Sequence, residues 1–388
     1  MANKLRIGVL FGGRSAEHQV SLVSATSVIQ SLDREKYEII PIGITPSGQW
    51  LIGEKAMPLL KAGKSDAKLL SFLPADPTIK SLKHLESQNS QEPSIDVLFP
   101  ILHGTYGEDG TMQGLFELAD IPYVGANVLG SAVSMDKIVQ KQICIQAGLP
   151  SVDYLWFRGV DWRQKSKNPV PVIEKQLANK TQDEILETVE KRLGFPVFIK
   201  PPNLGSSVGI SKASNTSELQ AGIELALQFD SKVLVEAAAP NAREIEVAVL
   251  GNEYPRASIP GEVVPSNEFY DYDAKYVDDA SELIIPAKLP EDLQNAIREA
   301  AIKSVIAVQA EGMSRVDFLL DDDAQKIYLN EINTIPGFTS ISMYPKLWAA
   351  TGLSYAELLD ELIRLAIERH EKRRSLNTSY QPKKEWYR

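Results

Sequence analysis

The chain has 388 residues, 44% hydrophobic and 24% charged, with 41 basic residues against 51 acidic ones and a net charge of -10. That length calls for two or three domains, the composition excludes wholesale disorder, and the acidic balance argues against a general nucleic-acid or anionic-membrane surface. The single cysteine, Cys144, excludes an intrachain disulfide framework and a cysteine-rich zinc site, and it fits a reducing compartment.

At the N-terminus, MANKLRIGVLFGG has too short an apolar run for a signal peptide, and no segment approaches 18 continuous apolar residues. A cytoplasmic protein with no membrane partner is expected. From Leu5, LRIGVLF predicts a strand, Ala25, Val28, Ile29 and Leu32 at i, i+3, i+4, i+7 predict a helix, and YEIIPIGI and IDVLFPIL predict further strands. The alternation implies an α/β unit with a parallel sheet and crossover helices. Residues 54–94, polar and rich in Lys, Ser and Pro, read as surface decoration.

The first strand runs into FGGRSAEHQVS, whose glycines let a ligand approach the backbone and whose Glu17 lies near a helix N-terminus. Glu17 can receive a substrate ammonium or serve only the helix dipole. The G-x-G-x-x-G fingerprint is absent, so no nicotinamide cofactor is expected. After IDVLFPIL, the loop HGTYGEDG offers His103 at the carboxyl end of the sheet, where open α/β sheets take ligands, or as a structural loop residue.

A second unit begins near Val128. LGSAVSMDKIVQKQICIQAGLP reads as one helix closed by Gly148 and Pro150, and residues 158–184 as a polar insertion. FPVFIKPP and VGISKA are short strands around a glycine-serine loop; a helix with Leu219, Ile223, Ala226 and Leu227 and the strand KVLVEA follow. Such a unit can form a small lid over a ligand. A lysine at the end of a buried strand is costly unless it meets an anion, which makes Lys200 a candidate phosphate partner, with Lys137 in SMDKIVQK. Residues 203–209, NLGSSVG, place backbone N–H groups and the hydroxyls of Ser206 and Ser207 near Lys200, either as a phosphate cradle or as an ordinary hairpin. It is not a Walker loop. Glu236 ends KVLVE at a hinge position suited to ribose or adenine, or to a plain strand end.

The third unit starts near Arg243. In REIEVAVLGN, Glu244 and Glu246 share the face opposite Ile245, Val247 and Val249, where one or both bind a nucleotide sugar or simply face water. EFYDYDAKYVDD, residues 268–279, has the composition of a lid loop. The hairpin RVDFLLDDDAQKIYLNEIN turns at Asp-Asp-Asp-Ala, which sets Asp317 opposite Glu331. Strict alternation puts Leu329, Glu331 and Asn333 on one face and Tyr328, Asn330 and Ile332 on the other. Asp317, Glu331 and Asn333 then converge as oxygen ligands for Mg²⁺, and Arg315 shares that face as a fork for an anion. The tail from His370 is charged and expected to fray.

Taken together, GGRSAEHQVS, HGTYGEDG, FIKPPNLGSSVGIS, REIEVAVLGN, EFYDYDAKY, SRVDF and NEINTIPGFTSISMYP resemble the D-alanine:D-alanine ligases of the ATP-grasp superfamily, over roughly residues 4–365. The resemblance implies a three-domain ATP-grasp architecture: a Rossmann-like domain at 1–127, a central lid domain at 128–240, a C-terminal domain at 241–370 and a charged tail at 371–388. It implies ATP-dependent joining of two D-alanines through a D-alanyl phosphate, releasing ADP and phosphate, for peptidoglycan precursors. By the same resemblance Lys137, Lys200, Ser207, Glu236 and Glu244 hold ATP, with the backbone of Ala237 and Ala239 near adenine, and Asp317, Glu331 and Asn333 bind two Mg²⁺ (or Mn²⁺). Glu17 takes the first ammonium, with His103 nearby. Arg315 and the Gly337 N–H stabilise oxyanions, Ser342 and Met343 position the second carboxylate, Lys275 bridges the γ-phosphate, and Tyr276 closes onto Ser206 and Glu17. A homodimer is the family expectation. Rival functions are a ligase forming an ester with D-lactate and a nucleotide-binding module without turnover.

Overall fold

The computed structural model describes residues 4–66, 70–79, 81–84, 94–163, 170–264, 282–339 and 341–379. The whole loop assigned to the lid, residues 268–279 with Lys275 and Tyr276, lies outside the described residues.

The first unit runs β1 (Leu5–Gly12), α1 (His18–Ser31), β2 (Tyr37–Ile44), β3 (Trp50–Ile52), α2 (Ala56–Lys61), β4 (Leu70–Phe72), β5 (Lys83–His84), β6 (Val97–Ile101) and α3 (Thr111–Leu118). The sheet order is β5-β4-β3-β2-β1-β6. β1 pairs in parallel with β2 and β6, and these three are nearly continuous Ile, Val, Leu and Phe, as strands covered on both faces must be. Residues 54–94 are not mere decoration. β3, β4 and β5 extend the sheet antiparallel, and Leu60, Leu73 and Leu82 are buried, because the open edge of β2 needs partners and its faces need cover.

The stretch read as one helix is two, α4 (Val128–Met135) and α5 (Lys137–Gln146). Asp136 leaves helical geometry and its carboxylate accepts the Ile138 and Val139 N–H groups, a capping role that competes with continuing the helix. The break sets Lys137 as the first residue of α5. α5 bridges two units: Cys144 is buried against the core that holds Ile245, Val249 and Ile332, while Ile138 packs with Tyr154, Trp156 and Leu234 of the central sheet.

β7 (Tyr154–Arg158), α6 (Gly159–Arg163), α7 (Gln182–Leu193), β8 (Val197–Lys200), β9 (Ser211–Ala213), α8 (Thr216–Ala226) and β10 (Lys232–Ala237) form a four-stranded antiparallel layer, β7-β10-β8-β9. Its own core holds Phe157, Ile185, Ile199, Ile223 and Val235, and the polar insertion contributes Trp162 and Leu177 to it.

The third unit comprises β11 (Ala242–Gly251), β12 (Arg256–Ala257), β13 (Gly261–Val264), β14 (Glu282–Ile284), α9 (Glu291–Ala307), β15 (Gly312–Asp321), β16 (Lys326–Asn333), α10 (Met343–Ala350) and α11 (Tyr355–Arg374). β11 and β15 pair along ten residues and β15 carries β16 on its other edge. α11 continues past His370, where fraying was expected. Arg369 donates to the carbonyls of Tyr123 and Gly125, His370 meets Asp120 at 2.9 Å and Arg373 pairs with Glu117, so its last turns are tied to the first unit. One core includes Ile7, Val9 and Phe11 of the first unit and Phe338, Tyr344, Trp348 and Leu362 of the third. These two units are therefore one packed body, whereas the central layer buries a separate core and can shift without exposing that one.

Candidate active site between three sheets

Register decides the first feature. β11, β15 and β16 lie side by side, so Glu246 faces Asp317 and Asp317 faces Glu331: three carboxylates in one row. In the next row Ala248, Arg315 and Asn333 are aligned. The Asp317–Glu331 pairing agrees with the hairpin reading, but the alternation along β16 does not. A bulge leaves Asn330 without an opposite residue, so Leu329 joins Ile332 in the core while Glu331 and Asn333 face the cleft. A regular strand would have carried Leu329 to the cleft along with the two ligands.

Like charges directly opposite on neighbouring strands repel, and Arg315 offsets this. Its Nε lies 2.8 Å from Asp317 Oδ1 and 3.1 Å from Glu246 Oε2, and its Nη2 is 2.7 Å from Asp317 Oδ2. Burial by itself would lower the guanidinium's pKa, but the charges of Asp317 and Glu246 raise it well above its ordinary value. Asn333 Nδ2 donates to Asp317 Oδ2 at 2.9 Å, and Lys137 Nζ reaches Glu331 Oε2 at 3.1 Å and the Leu204 carbonyl at 2.9 Å. Among the described residues no three His, Cys, Asp or Glu side chains enclose a metal on their own.

Facing this row is a buried triad. Glu236 takes Lys141 Nζ on Oε1 at 2.6 Å and Lys200 Nζ on Oε2 at 2.5 Å. Desolvation would raise the carboxyl's pKa, but the two ammonium groups lower it to about 2. Lys200 thus meets an anion, as a lysine at the end of a buried strand must, and Glu236, which also lines the cavity, is the counter-ion of both lysines. Because the carboxyl titrates near 4.5 when unfolded and near 2 when folded, its stabilisation is complete above pH about 4.5 and is lost as pH falls toward 2. Glu236→Gln, which strands two buried ammonium groups, is expected to cost about 3–5 kcal/mol at pH 7. Denaturant titrations of wild type and variant should show that gap narrowing by pH 3; a constant gap refutes the assignment.

Lys137, Lys200, Ser207, Glu236, Glu244 and Ala239 line a cavity of about 550 Å³, the size range of nucleotide pockets. Ala237 lines it too, but its N–H donates to the Asp153 carbonyl and the Ala238 N–H to that of Pro196, so neither is open to a base. An adjoining cavity of about 400 Å³ is walled by Glu17, His103, Gly337, Ser342 and Met343. Ser206, Glu246, Arg315 and Glu331 line both, making them the seam. Ser206 and Ser207 hold φ at 50° and 58°, a left-handed conformation that costs non-glycine residues free energy and that turns the loop over the seam.

Glu17 caps α1 by position only, with no capping hydrogen bond from its side chain; its Oε1 accepts from Ser206 Oγ of the central layer. Two glycines admit this carboxylate. A Cβ on Gly104, whose φ is +74°, would lie 2.5 Å from Glu17 Oε2, and one on Gly205 would lie 2.9 Å from it. Gly104→Ala should therefore displace Glu17 and add backbone strain of about 1–3 kcal/mol. Its check is steady-state turnover together with thermal unfolding; unchanged values in both would refute the steric argument.

His103 is buried, its Nδ1 3.0 Å from the Ile335 carbonyl and Nε2 3.3 Å from Ser24 Oγ, and desolvation lowers its pKa, so it is neutral at pH 7. It fixes the loop that carries Gly104 and lines the smaller cavity. At the far end Ser342 precedes α10; its Oγ accepts from the Thr339 N–H at 3.0 Å, and a Cβ on Gly337 would lie 2.8 Å from that Oγ. Met343 is buried in the shared core with only its edge on the cavity.

Two residues at this site, Glu108 in the smaller cavity's wall and Lys141 behind the larger one, were not singled out from sequence, and a third, Glu246, was read there as a carboxylate that binds a nucleotide sugar or faces water. Glu246 was visible as a cleft-side carboxylate but its partners depend on register. Glu108, in the quoted loop HGTYGEDG, accepts from the Gly104 and Ile335 N–H groups; burial and the nearby Glu17 push its pKa up to about 8. Lys141 ends the quoted SMDKIVQK, and nothing in that string says it points inward.

A four-stranded antiparallel layer facing a second sheet that carries a row of acidic oxygen donors, with a cavity between them and a further cavity on a parallel-sheet domain, is the ATP-grasp architecture. The family models for the D-ala D-ala ligase N-terminus and C-terminus match residues 6–126 and 143–364. The D-alanine--D-alanine ligase of Natranaerobius thermophilus is 46% identical over 378 residues, covering 97% of this chain and 99% of that protein. The one from Chloroherpeton thalassium is 48% identical over 385 residues, covering 96% and 99%. The solved D-alanine-D-alanine ligase of Coxiella burnetii superposes with a TM-score of 0.79 at 35% identity, covering 96% of this chain and 97% of that one. The VanG D-Ala:D-Ser ligase of Enterococcus faecalis gives 0.79 at 36%, covering 94% and 100%. The chain belongs to the D-alanine–D-alanine ligase family. No described helix is long and apolar enough to cross a membrane.

Proposed function

We propose that the protein joins two D-alanines to D-alanyl-D-alanine with conversion of ATP to ADP and phosphate, supplying peptidoglycan precursors in the cytoplasm as a homodimer. The observation that carries this reading is the seam: Ser206, Arg315 and Glu331 border both the larger, lysine-lined cavity and the smaller one that holds Glu17.

In the larger cavity Lys137 and Lys200 face the triphosphate and Glu244 the ribose, with adenine at the Ala237–Ala239 hinge. The two carboxylates of Asp317 and Glu331 with the amide oxygen of Asn333 are hard donors, and their small number suits Mg²⁺ or Mn²⁺, which draw remaining ligands from phosphate and water. When bound, such ions neutralise triphosphate charge. In the smaller cavity Glu17 receives the ammonium of the first D-alanine and sets its carboxylate at the seam. One carboxylate oxygen bonds the γ-phosphorus as ADP leaves, giving an acyl phosphate. The amine of the second D-alanine, positioned by Ser342 and the start of α10 through its own carboxylate, then adds to the carbonyl carbon; phosphate leaves and the nitrogen loses a proton. Arg315 and the Gly337 N–H stand where the oxyanions of both steps develop. Lys275 and Tyr276 are the residues assigned to γ-phosphate bridging and lid closure, which keeps water from the acyl phosphate.

The deciding assay is phosphate release with ATP and D-alanine, with D-serine, D-lactate and no amino acid as controls. Release that requires D-alanine and yields the dipeptide is expected. Release without dipeptide, or preference for D-serine or D-lactate over D-alanine as second substrate, overturns the reading.

A further inference from the structure

Lys137 and Lys141 lie one turn apart on α5, on the same side of the helix. Lys137 reaches outward to the Leu204 carbonyl and Glu331, at the cleft. Lys141 points the other way along that side, into the interior. Its side chain is 1% exposed, it holds Glu236 Oε1 at 2.6 Å, and it donates to Ser151 Oγ at 3.1 Å. Glu236, 3% exposed, gives its other oxygen to Lys200, which is 13% exposed and forms part of the cavity wall. One carboxylate is shared between two ammonium groups, so the triad carries one net positive charge when both lysines are protonated; burial lowers the Lys141 pKa and the Glu236 carboxylate opposes that. Only Lys200 can express it toward the cavity, since Lys141 is sealed behind Glu236.

We propose that Lys141 is a positioning residue for the phosphate chain of the nucleotide, holding Glu236 off Lys200 so that a full unit of positive charge faces the cavity without Lys141 touching the ligand. This rests on reading the larger cavity as the nucleotide site. Without Lys141 the whole attraction of Glu236 falls on Lys200, and the two become a closed neutral pair. The cavity wall then loses a charge where a triphosphate needs it. A buried ion triad is no better for stability than well-packed apolar groups of the same volume, so charge placement is what the lysine adds.

The test compares binding of ADP and of adenosine, by titration calorimetry, to the full chain and to Lys141→Met, Lys200→Met and Lys141→Met/Glu236→Gln, with thermal unfolding as a fold control. Lys141→Met is expected to weaken ADP at least about tenfold and adenosine less than about threefold, because only the former carries the phosphates that feel the charge. The double variant, which leaves Lys200 as an unneutralised cation, should regain the preference for ADP over adenosine that Lys141→Met loses, read as the ratio of the two affinities because Glu236 itself lines the cavity. Equal losses for both ligands would mean a merely structural role, and no loss, or no rescue, also overturns the proposal. Should Lys141→Met fail to fold, the double variant decides: a retained preference for ADP over adenosine supports the inference and a lost one sinks it. Lys200→Met separates the two levels. If it leaves ADP binding intact, the nucleotide reading of the cavity fails; if it weakens ADP while Lys141→Met does not, only the role of Lys141 fails.

Discussion

Glu331→Gln lowers kcat at least about 100-fold, with the fold preserved, because oriented charge in a dry phosphoryl-transfer site is worth several kcal/mol. The substitution keeps the shape of the side chain and removes one charge. Two things change with it. Lys137 loses its 3.1 Å ion partner for a neutral amide and keeps the Leu204 carbonyl, so its direction in the cleft is less defined. The pair of carboxylates formed with Asp317 becomes a single one, which halves the charge available to a divalent cation. Glu331 is at the cleft face with its side chain 20% exposed, not in the core, so thermal unfolding should barely move. The measurement is steady-state phosphate release at saturating ATP and divalent metal; turnover near the wild-type value would refute the role given to this carboxylate.

Arg315→Lys is the second large effect, with kcat expected to fall about 100- to 1000-fold, as when an oxyanion donor is removed. A lysine keeps the positive charge that Glu246 and Asp317 require, so the variant folds. It does not keep the fork. The guanidinium reaches Glu246 through Nε and Asp317 through Nε and Nη2, which locks its plane and leaves the remaining N–H groups with a fixed direction at the seam. An ammonium satisfies one carboxylate at a time and its donors rotate. Since the donors act on charge that develops in the transition state, KM for D-alanine should change far less than kcat. A variant with kcat within about fivefold of wild type would show that Arg315 serves only to neutralise the carboxylate row, a role in which the charge alone suffices.

The hairpin that carries Asp317 and Glu331 was legible because its turn residues and the strong apolar alternation of RVDFLL fix register locally. The bulge at Asn330 was not, since it is a backbone choice made against the neighbouring strand, and it reversed which residues join Leu329. The break at Asp136 had a local signature, an acidic cap followed by a fresh helix, but the apolar spacing runs through it and reads as continuous. The segment at 54–94 looked like decoration because its buried positions, Leu60, Leu73 and Leu82, are widely spaced among polar residues. Only an adjacent open sheet edge gives them a core to join. The last turns of α11 looked frayed for a similar reason: the charges at 369–373 are helix-stabilising only in the presence of Glu117, Asp120 and the carbonyls near Gly125.

What the amino-acid sequence by itself determined was the chemistry and its order along the chain: strands with a glycine-rich turn and Glu17, the serine loop after Lys200, and acidic and amide donors on a hairpin. These are local matters, set by periodicity and by the few residues that particular turns permit. Tertiary structure alone decided which charges meet. Glu246 joins Asp317 and Glu331 only through the register of β11 against a hairpin distant from it in sequence, and Glu17 reaches Ser206 across 189 residues. Glu236 sits between lysines from a helix and a strand of different layers. Coulomb energies depend on separation in space and on exclusion of water, and a linear string specifies neither until the layers have packed.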